Sequence, residues 1–342
     1  MKRFVIALAV VACVAITPCF GKKPAKPNAK AMDSLSYCLG AQIGFSVKEQ
    51  LSLMPFDLKS VKEGITKGYT QKSKQTQEEA VGILGAFFSG EFRERCTAYE
   101  RAVKEGSTAP FKPFSTKKQC KSISYSFGVD VGNNIYRANH PILINWVWNG
   151  FEDAWIERLV MDKEQVLYYL SHYFMTVVPA QNNARSKAWL EVKRREEGVK
   201  STESGLLYKI IEAGDMSKVA KSDGDVVKVH YVGRLQNGTV FDASIFERRS
   251  EEQKALIRKH QPEKFDKNGK LIGEDSPIEF PLNRVILGWT EGMKLIGPGG
   301  KIILYIPAEL AYGNRGAGSV IGPNEALEFE VELFEVIPTP HN

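Results

Sequence analysis

A chain of 342 residues, 43% hydrophobic and 25% charged, has room for two or three domains and the balance of a globular protein with ordinary cores. Its formal charge of +6 falls by two once Lys2 and Arg3 leave with a leader, and Lys and Glu are interspersed, which argues against a nucleic-acid partner. The histidines His140, His172, His230, His260 and His341 share no metal-ligand spacing, and no nucleophile stands beside a base, so neither a metal nor another cofactor is expected.

Met1-Lys2-Arg3 precedes an apolar run from Phe4 to Ile16 that is too short to span a bilayer and sits where the core of a secretory leader belongs. Residues 1–21 are expected to form a signal peptide cleaved after Gly21, and 22–32 a Lys/Pro-rich tether. Val10-Val11-Ala12-Cys13 fits a lipoprotein box loosely, which makes a lipid anchor at Cys13 the second option behind simple export. Cys38, Cys96 and Cys120 then remain, an odd number that cannot pair completely. A Cys96–Cys120 bridge stays open, while Cys38, beside a helix stripe, reads as a small apolar residue.

An internal duplication follows. In DSLSYCLGAQIGFSV (33–47) and KSISYSFGVDVGNNI (121–135), Leu35, Leu39, Ile43 and Val47 fall opposite Ile123, Phe127, Val131 and Ile135, and Tyr37, Gly40 and Gly44 opposite Tyr125, Gly128 and Gly132. Each copy has an i, i+4 apolar stripe whose paired glycines would let another helix approach closely. Further on, Leu58, Val61, Gly64, Ile65 and Tyr69 meet Ile144, Val147, Gly150, Phe151 and Trp155, and Val81, Leu84, Gly85 and Phe88 meet Val166, Tyr169, Leu170 and Tyr173. The pattern predicts two all-α units of three helices, over 33–106 and 121–198, joined by a linker over 107–120 that contains Pro110 and Pro113. Pro179 predicts a kink or break near Val178 in the last, long helix, and Gly198 its end.

From 199 onward the period changes. Val227, Val229 and Tyr231 alternate with Lys228 and His230, Asn237-Gly238 supplies the φ > 0 residues of a tight hairpin, and Ile302, Leu304 and Ile306 form a second strand stopped by Pro307. Leu327, Phe329, Val331 and Leu333 alternate with Glu328, Glu330 and Glu332, giving one apolar and one wet face. Thr290-Glu291-Gly292-Met293, after Trp289, reads as a short helix crossing the apolar face. The fold class expected is multidomain α + (α+β): two helical units, then an antiparallel sheet wrapped over a short helix across 199–338.

The phrases VVKVHYVGRLQNGTVFDAS (226–244), RVILGWTEGM (284–293), KIILYIPAELAYG (301–313) and ALEFEVELFEV (326–336) resemble the FKBP-type peptidyl-prolyl cis-trans isomerases. Each helical unit resembles the N-terminal domain of the bacterial Mip/FkpA-like branch, where the domain is present once per chain and interlocks with that of a second chain. Two copies in one chain imply an intrachain pseudo-dimer in place of a homodimer. The resemblance also implies a periplasmic location, with an outer-membrane lipoprotein as the second option. The partners it implies are proline-containing unfolded or partly folded polypeptides, with tacrolimus-type macrolides as inhibitors.

Rotation about a peptide bond faces a barrier of about 18–20 kcal/mol, and the two Xaa-Pro isomers differ by only about 0.5–1 kcal/mol. A water-poor site favours the twisted, unconjugated state over the polar planar imide, and lowering the barrier by roughly 4 kcal/mol gives about a thousandfold. By resemblance, Trp289 is the floor under the proline ring, Tyr231, Phe241 and Phe329 are walls, and Val285 and Ile286 form a rim with a backbone N–H for a substrate carbonyl. Tyr312 donates to the other carbonyl, Asp242 faces the twisted one, and Ile321 closes the loop side. Ile278 stands where many members carry a pocket Phe. The catalytic set implied is Asp242, Tyr312 and Tyr231.

One departure from the family is an insertion over 245–276 with a predicted helix from Ser250 to His260, and Arg248 or Arg249 near enough in sequence to pair with Asp242. The implied function is isomerisation of Xaa-Pro bonds in exported polypeptides. The alternative is a catalytically weak chaperone of the same fold that holds unfolded clients.

Overall fold

The computed structural model describes residues 34–51, 54–138, 142–318 and 320–339. The expected leader, its cleavage site, Cys13 and the tether lie outside the described residues, as do His140 and His341. The chain divides into two compact units, Met1–Phe174 and Met175–Asn342.

The first unit is helical: α1 (Ser34–Gln50), α2 (Leu58–Tyr69), α3 (Gln77–Phe87), α4 (Arg93–Lys104), α5 (Lys117–Arg137), α6 (Ile144–Trp155) and α7 (Lys163–His172). The two copies are built alike. Thr76 and Asp162 open α3 and α7 with capping boxes that use Glu79 and Gln165, so the first-turn N–H groups of both helices are satisfied in the same way. A π turn follows each, Phe88–Phe92 after α3 and Tyr173–Val177 after α7, and leads into α4 and α8 (Val178–Arg194). Pro179 therefore does not break the helix. It sits in the first turn of α8, just past a π turn that the first copy also has, with Glu94 in the equivalent place. The widened turn already breaks the i→i−4 ladder, and there proline's missing N–H costs little.

The copies do not pack on themselves. α1 lies against α6 and α7, and α5 lies against α2 and α3, so each copy's first helix is covered by the other copy's second and third. The glycines set these crossings. A Cβ on Gly64 would run into the Tyr125 carbonyl and one on Gly128 into the Val61 carbonyl, while Gly40 and Gly150 press in the same way on Val147 and Tyr37. Reciprocal hydrogen bonds repeat the symmetry: Asp57 N donates to Ser124 Oγ (2.9 Å) and Leu143 N to Ser36 Oγ (2.8 Å), both hydroxyls fully buried. One apolar core results, running through Leu35, Val47, Ile65, Leu84, Phe127, Val147, Phe151 and Leu170. The linker folds back through stacked Phe114 on Phe87 (5.5 Å) and Phe111 against Phe92 (5.9 Å). Cys38, Cys96 and Cys120 are free thiols, and burial pushes Cys38 up to about 12, as suits a thiol used as an apolar group.

The second unit is an antiparallel sheet in the order β1 (Lys200–Ser201), β2 (Leu207–Glu212), β6 (Lys301–Ile306), β7 (Leu327–Ile337), β3 (Val226–Leu235), β4 (Val240–Ala243), with β5 (Ile278–Pro281) also on β3. The alternation read from the sequence holds: Val227, Val229 and Tyr231 on β3 and Leu327, Phe329, Val331 and Leu333 on β7 face one core. The short helix crossing that face, α10 (Leu287–Gly292), starts three residues earlier than Thr290 and so includes Trp289. Gly288 and Gly292 let it settle on Ile306 and Leu304, where a Cβ would meet those side chains. In the β3–β4 hairpin Gly238 alone has positive φ (+84°), because the loop is wider than a two-residue turn and Asn237 instead accepts from Thr239 N (3.0 Å).

Candidate active site

β3 and β7 pair so that Gly233 faces Phe329 and Tyr231 faces Val331. Gly233 is needed there: a Cβ would come within 2.6 Å of Phe241 Cζ and 2.8 Å of Phe329 Cε1. The β3–β4 register shifts between Gly233 and Arg234, which leaves Phe241 as the extra residue of a bulge beside Asp242. A regular strand would send neighbouring side chains to opposite faces. The bulge brings both to the same site.

There four rings converge. Trp289 is 5.3 Å from Tyr231 at 86° and 5.3 Å from Phe329 at 88°, Tyr231 and Phe329 are 6.3 Å apart, and Phe241 stands edge-on to Phe329 at 5.5 Å. Edge-to-face contacts suit the ring quadrupoles and hold the floor rigid. Phe280 on β5 is a fifth ring, 5.7 Å from Trp289 and 5.9 Å from Tyr231, that the sequence reading missed. Its signal was its i+2 spacing from Ile278 on one strand.

Ile278, Val285 and Ile286 pack against this cluster, and Ile321 is part of it. Ile286 precedes α10 and caps its first turn with its carbonyl, which accepts from Trp289 N (2.8 Å) and Thr290 N (3.2 Å). Its own N–H meets no backbone carbonyl among the described residues.

The polar members meet at one edge. Tyr231 Oη donates to Asp242 Oδ2 at 2.6 Å, Ala243 N donates to Asp242 Oδ1 at 2.9 Å, and Arg249 Nη1 reaches the same oxygen at 3.3 Å. Arg249 is thus the partner of Asp242, while Arg248 pairs with Glu330 across the outer face at 2.8 Å. Burial first, then the Asp242 hydrogen bond and charge, push the Tyr231 hydroxyl well above its ordinary value of about 10. Tyr312 is 39% exposed, and its hydroxyl is pushed up by burial and by Asp242. A raised tyrosine pKa adds stability that is complete below the unfolded value, about 10, and is lost as pH rises through the folded one. Both hydroxyls therefore stay protonated at neutral pH, and isomerisation is expected to be flat from about pH 7 to 9.5, read by NMR exchange of a Xaa-Pro peptide. A slope in that window would mean that a site tyrosine ionises early.

The insertion is anchored. Its helix α9 (Glu251–His260) is opened by a Ser250–Gln253 capping box, and Gln253 Nε2 also donates to the Phe241 carbonyl (2.6 Å). Phe246, 3% exposed, packs on Phe265 at 5.0 Å with the Arg258 guanidinium over both rings. Of the remaining polar features, His230 bonds Ser244 Oγ at 3.0 Å and stands edge-on to Phe334, and Gly299 N of the 297–301 turn donates to the Leu333 carbonyl at 2.7 Å.

Residues 217–334 match the family model described as "FKBP-type peptidyl-prolyl cis-trans isomerase", and 120–210 match "Domain amino terminal to FKBP-type peptidyl-prolyl isomerase". A "Probable FKBP-type peptidyl-prolyl cis-trans isomerase" of Haemophilus influenzae is 32% identical over 236 residues, covering 64% of this chain and 86% of its own. The "Outer membrane protein MIP" of Legionella longbeachae is 32% identical over 228 residues, 63% of this chain and 84% of that one. A "Probable FKBP-type peptidyl-prolyl cis-trans isomerase FkpA" of Neisseria meningitidis is 41% identical over 229 residues, 62% of this chain and 73% of that one. With relatives matched over most of their length and an aromatic cluster edged by Asp242 and Tyr312, the chain belongs to the FKBP-type peptidyl-prolyl cis-trans isomerases.

Proposed function

We propose that the chain catalyses rotation about Xaa-Pro bonds of exported polypeptides in the periplasm and so assists their folding. The observation that carries this is the convergence of Tyr231, Phe241, Trp289 and Phe329 with a half-buried Tyr231–Asp242 hydrogen bond at the edge. The proline ring sits on Trp289, the Ile286 N–H and the Tyr312 hydroxyl hold the flanking carbonyls, and Asp242 faces the carbonyl that loses conjugation. Ile278, Val285, Ile321 and Phe329 keep water out, and a dry site penalises the polar planar imide more than the twisted one. No proton is transferred. A protease-coupled assay on a Leu-Pro peptide tests this: turnover that a tacrolimus-type macrolide abolishes is expected, and background turnover with intact suppression of client aggregation would favour a holding chaperone instead.

Export rests on the apolar run from Phe4 to Ile16 and on the relative named as an outer membrane protein. Mass spectrometry of the mature N-terminus reads it, a start at Lys22 marking a free periplasmic protein and a lipidated Cys13 an anchored one. The helical unit forms an intrachain pseudo-dimer that holds unfolded clients. In support, the surfaces on α1 and α5 that a second chain's helices would cover are already covered by α6 and α2 of the same chain. Light scattering coupled to size exclusion is expected to give the mass of one chain, and a stable dimer in dilute solution would overturn it.

A further inference from the structure

Helix α8 buries two residues, and both are polar: Asn182 (6% exposed) and Ser186 (4%). They lie one turn apart on the face that continues through Trp189 and Lys193, which pack on Tyr305 of β6 at 5.7 Å between rings and 5.0 Å from Nζ to ring. Buried polar side chains are costly unless every group is paired, and apart from Gln236 in the β3–β4 loop and Arg185 of α8 itself, which donates to Asn182 Oδ1 (2.9 Å), their partners lie on one target. Asn182 Nδ2 donates to the Pro323 carbonyl (2.8 Å), Ser186 Oγ donates to the Asn324 carbonyl (2.8 Å), and Ser186 Oγ accepts from Ala326 N (2.9 Å) and Gln236 Nε2 (2.6 Å). In return Asn324 Nδ2 donates to the Pro179 carbonyl at 3.2 Å.

The target is the base of the long β6–β7 connection. Asn324 is held at φ +59°, a left-handed conformation that a non-glycine residue keeps only with support. Its N–H reaches back to the Gly313 carbonyl (2.8 Å), next to Tyr312, and the same connection folds on itself through the Ala317–Ile321 pair (2.8 and 3.1 Å). Tyr312 and Ile321 therefore both hang from a segment that α8 grips.

We infer that Asn182 and Ser186 are positioning residues for the isomerase site, acting through the 313–326 connection to set the places of Tyr312 and Ile321. This rests on the isomerase reading of the site. Tyr312 and Ile321 touch the substrate flanks in both the planar and the twisted states, so their displacement weakens binding of both, while the Trp289 floor and Asp242 are untouched. Such a loss raises KM and spares kcat.

The test uses the full chain with Ser186→Ala, Asn182→Ala and Ser186→Thr, which keeps the hydroxyl. For each alanine variant KM for a Leu-Pro peptide is expected to rise about fivefold with kcat within about twofold, the scale of a connection loosened at its base while the rest of the site stays in place. Hydrogen exchange across 313–326 is expected to quicken while β3 and β7 stay protected, and Ser186→Thr to move both readings back toward wild type. Wild-type kinetics despite quickened exchange would overturn the inference, as would unchanged exchange, or kcat and KM moving together with a general loss of protection. An inactive wild type would defeat the isomerase reading itself, and the exchange measurement would still report whether α8 holds the connection.

Discussion

Gly128→Ala is expected to cost the helical unit about 3 kcal/mol, the upper range for forcing atoms into a packed crossing. The new Cβ would land on the Val61 carbonyl oxygen, 2.8 Å from Ile65 N and 2.9 Å from Gly64 Cα. Those are backbone atoms of α2, so no side chain can swing aside, and the two helices must separate along a shared core. Gly64→Ala strikes the same crossing from the other side. The double variant should therefore lose less than the sum of the singles, since the helices need to part only once. Gly82→Ala is the contrast: on α3 with open space around it, it should gain about 1 kcal/mol from helix propensity alone. Chemical denaturation followed by far-UV circular dichroism reads all four. A Gly128→Ala chain as stable as the wild type would mean that α2 and α5 do not cross in this way.

Asp242→Ala is expected to lower kcat/KM roughly ten- to a hundredfold, the equivalent of about 1.5–3 kcal/mol for a hydrogen bond to a charged group. The carboxylate fixes the Tyr231 hydroxyl at 2.6 Å and is itself oriented by Ala243 N and Arg249, so its removal frees the Tyr231 ring and takes away the charge that the proposed mechanism sets against the rotating carbonyl. Asp242→Asn keeps the shape and one acceptor, and should lose about threefold. Melting temperatures should barely move, because Asp242 lies at the edge of the ring cluster and its side chain is 42% exposed. Equal activity in Asp242→Ala and wild type would remove Asp242 from the mechanism and leave the dry aromatic floor to account for the rate.

Much of the sheet was legible because period-two burial is a local property: each strand carries its own record of which face is covered, as Val227, Val229 and Tyr231 do on β3. What was not legible depends on pairing between distant segments. The bulge at Phe241 exists only in the register of β3 against β4, and whether Arg248 or Arg249 meets Asp242 depends on how the insertion folds. Phe280 sits two residues after Ile278 on the same inward face, and a strand of four residues is too short for its alternation to say which of the two reaches the rings. In the helical unit the paired glycines announced a close crossing, but an apolar stripe names no partner. That α1 would lie on α6, more than a hundred residues away, was not written in either stripe.

That exchange of partners dictates the order of events when the chain is made. Tyr37 bonds Asp153, 116 residues ahead, so α1 and α2 leave the ribosome with nothing to shelter their greasy sides until α5 and α6 follow. At about 5–20 residues per second this is a delay of roughly 6–25 seconds. A protein that helps others past a slow folding step thus begins with a long wait of its own.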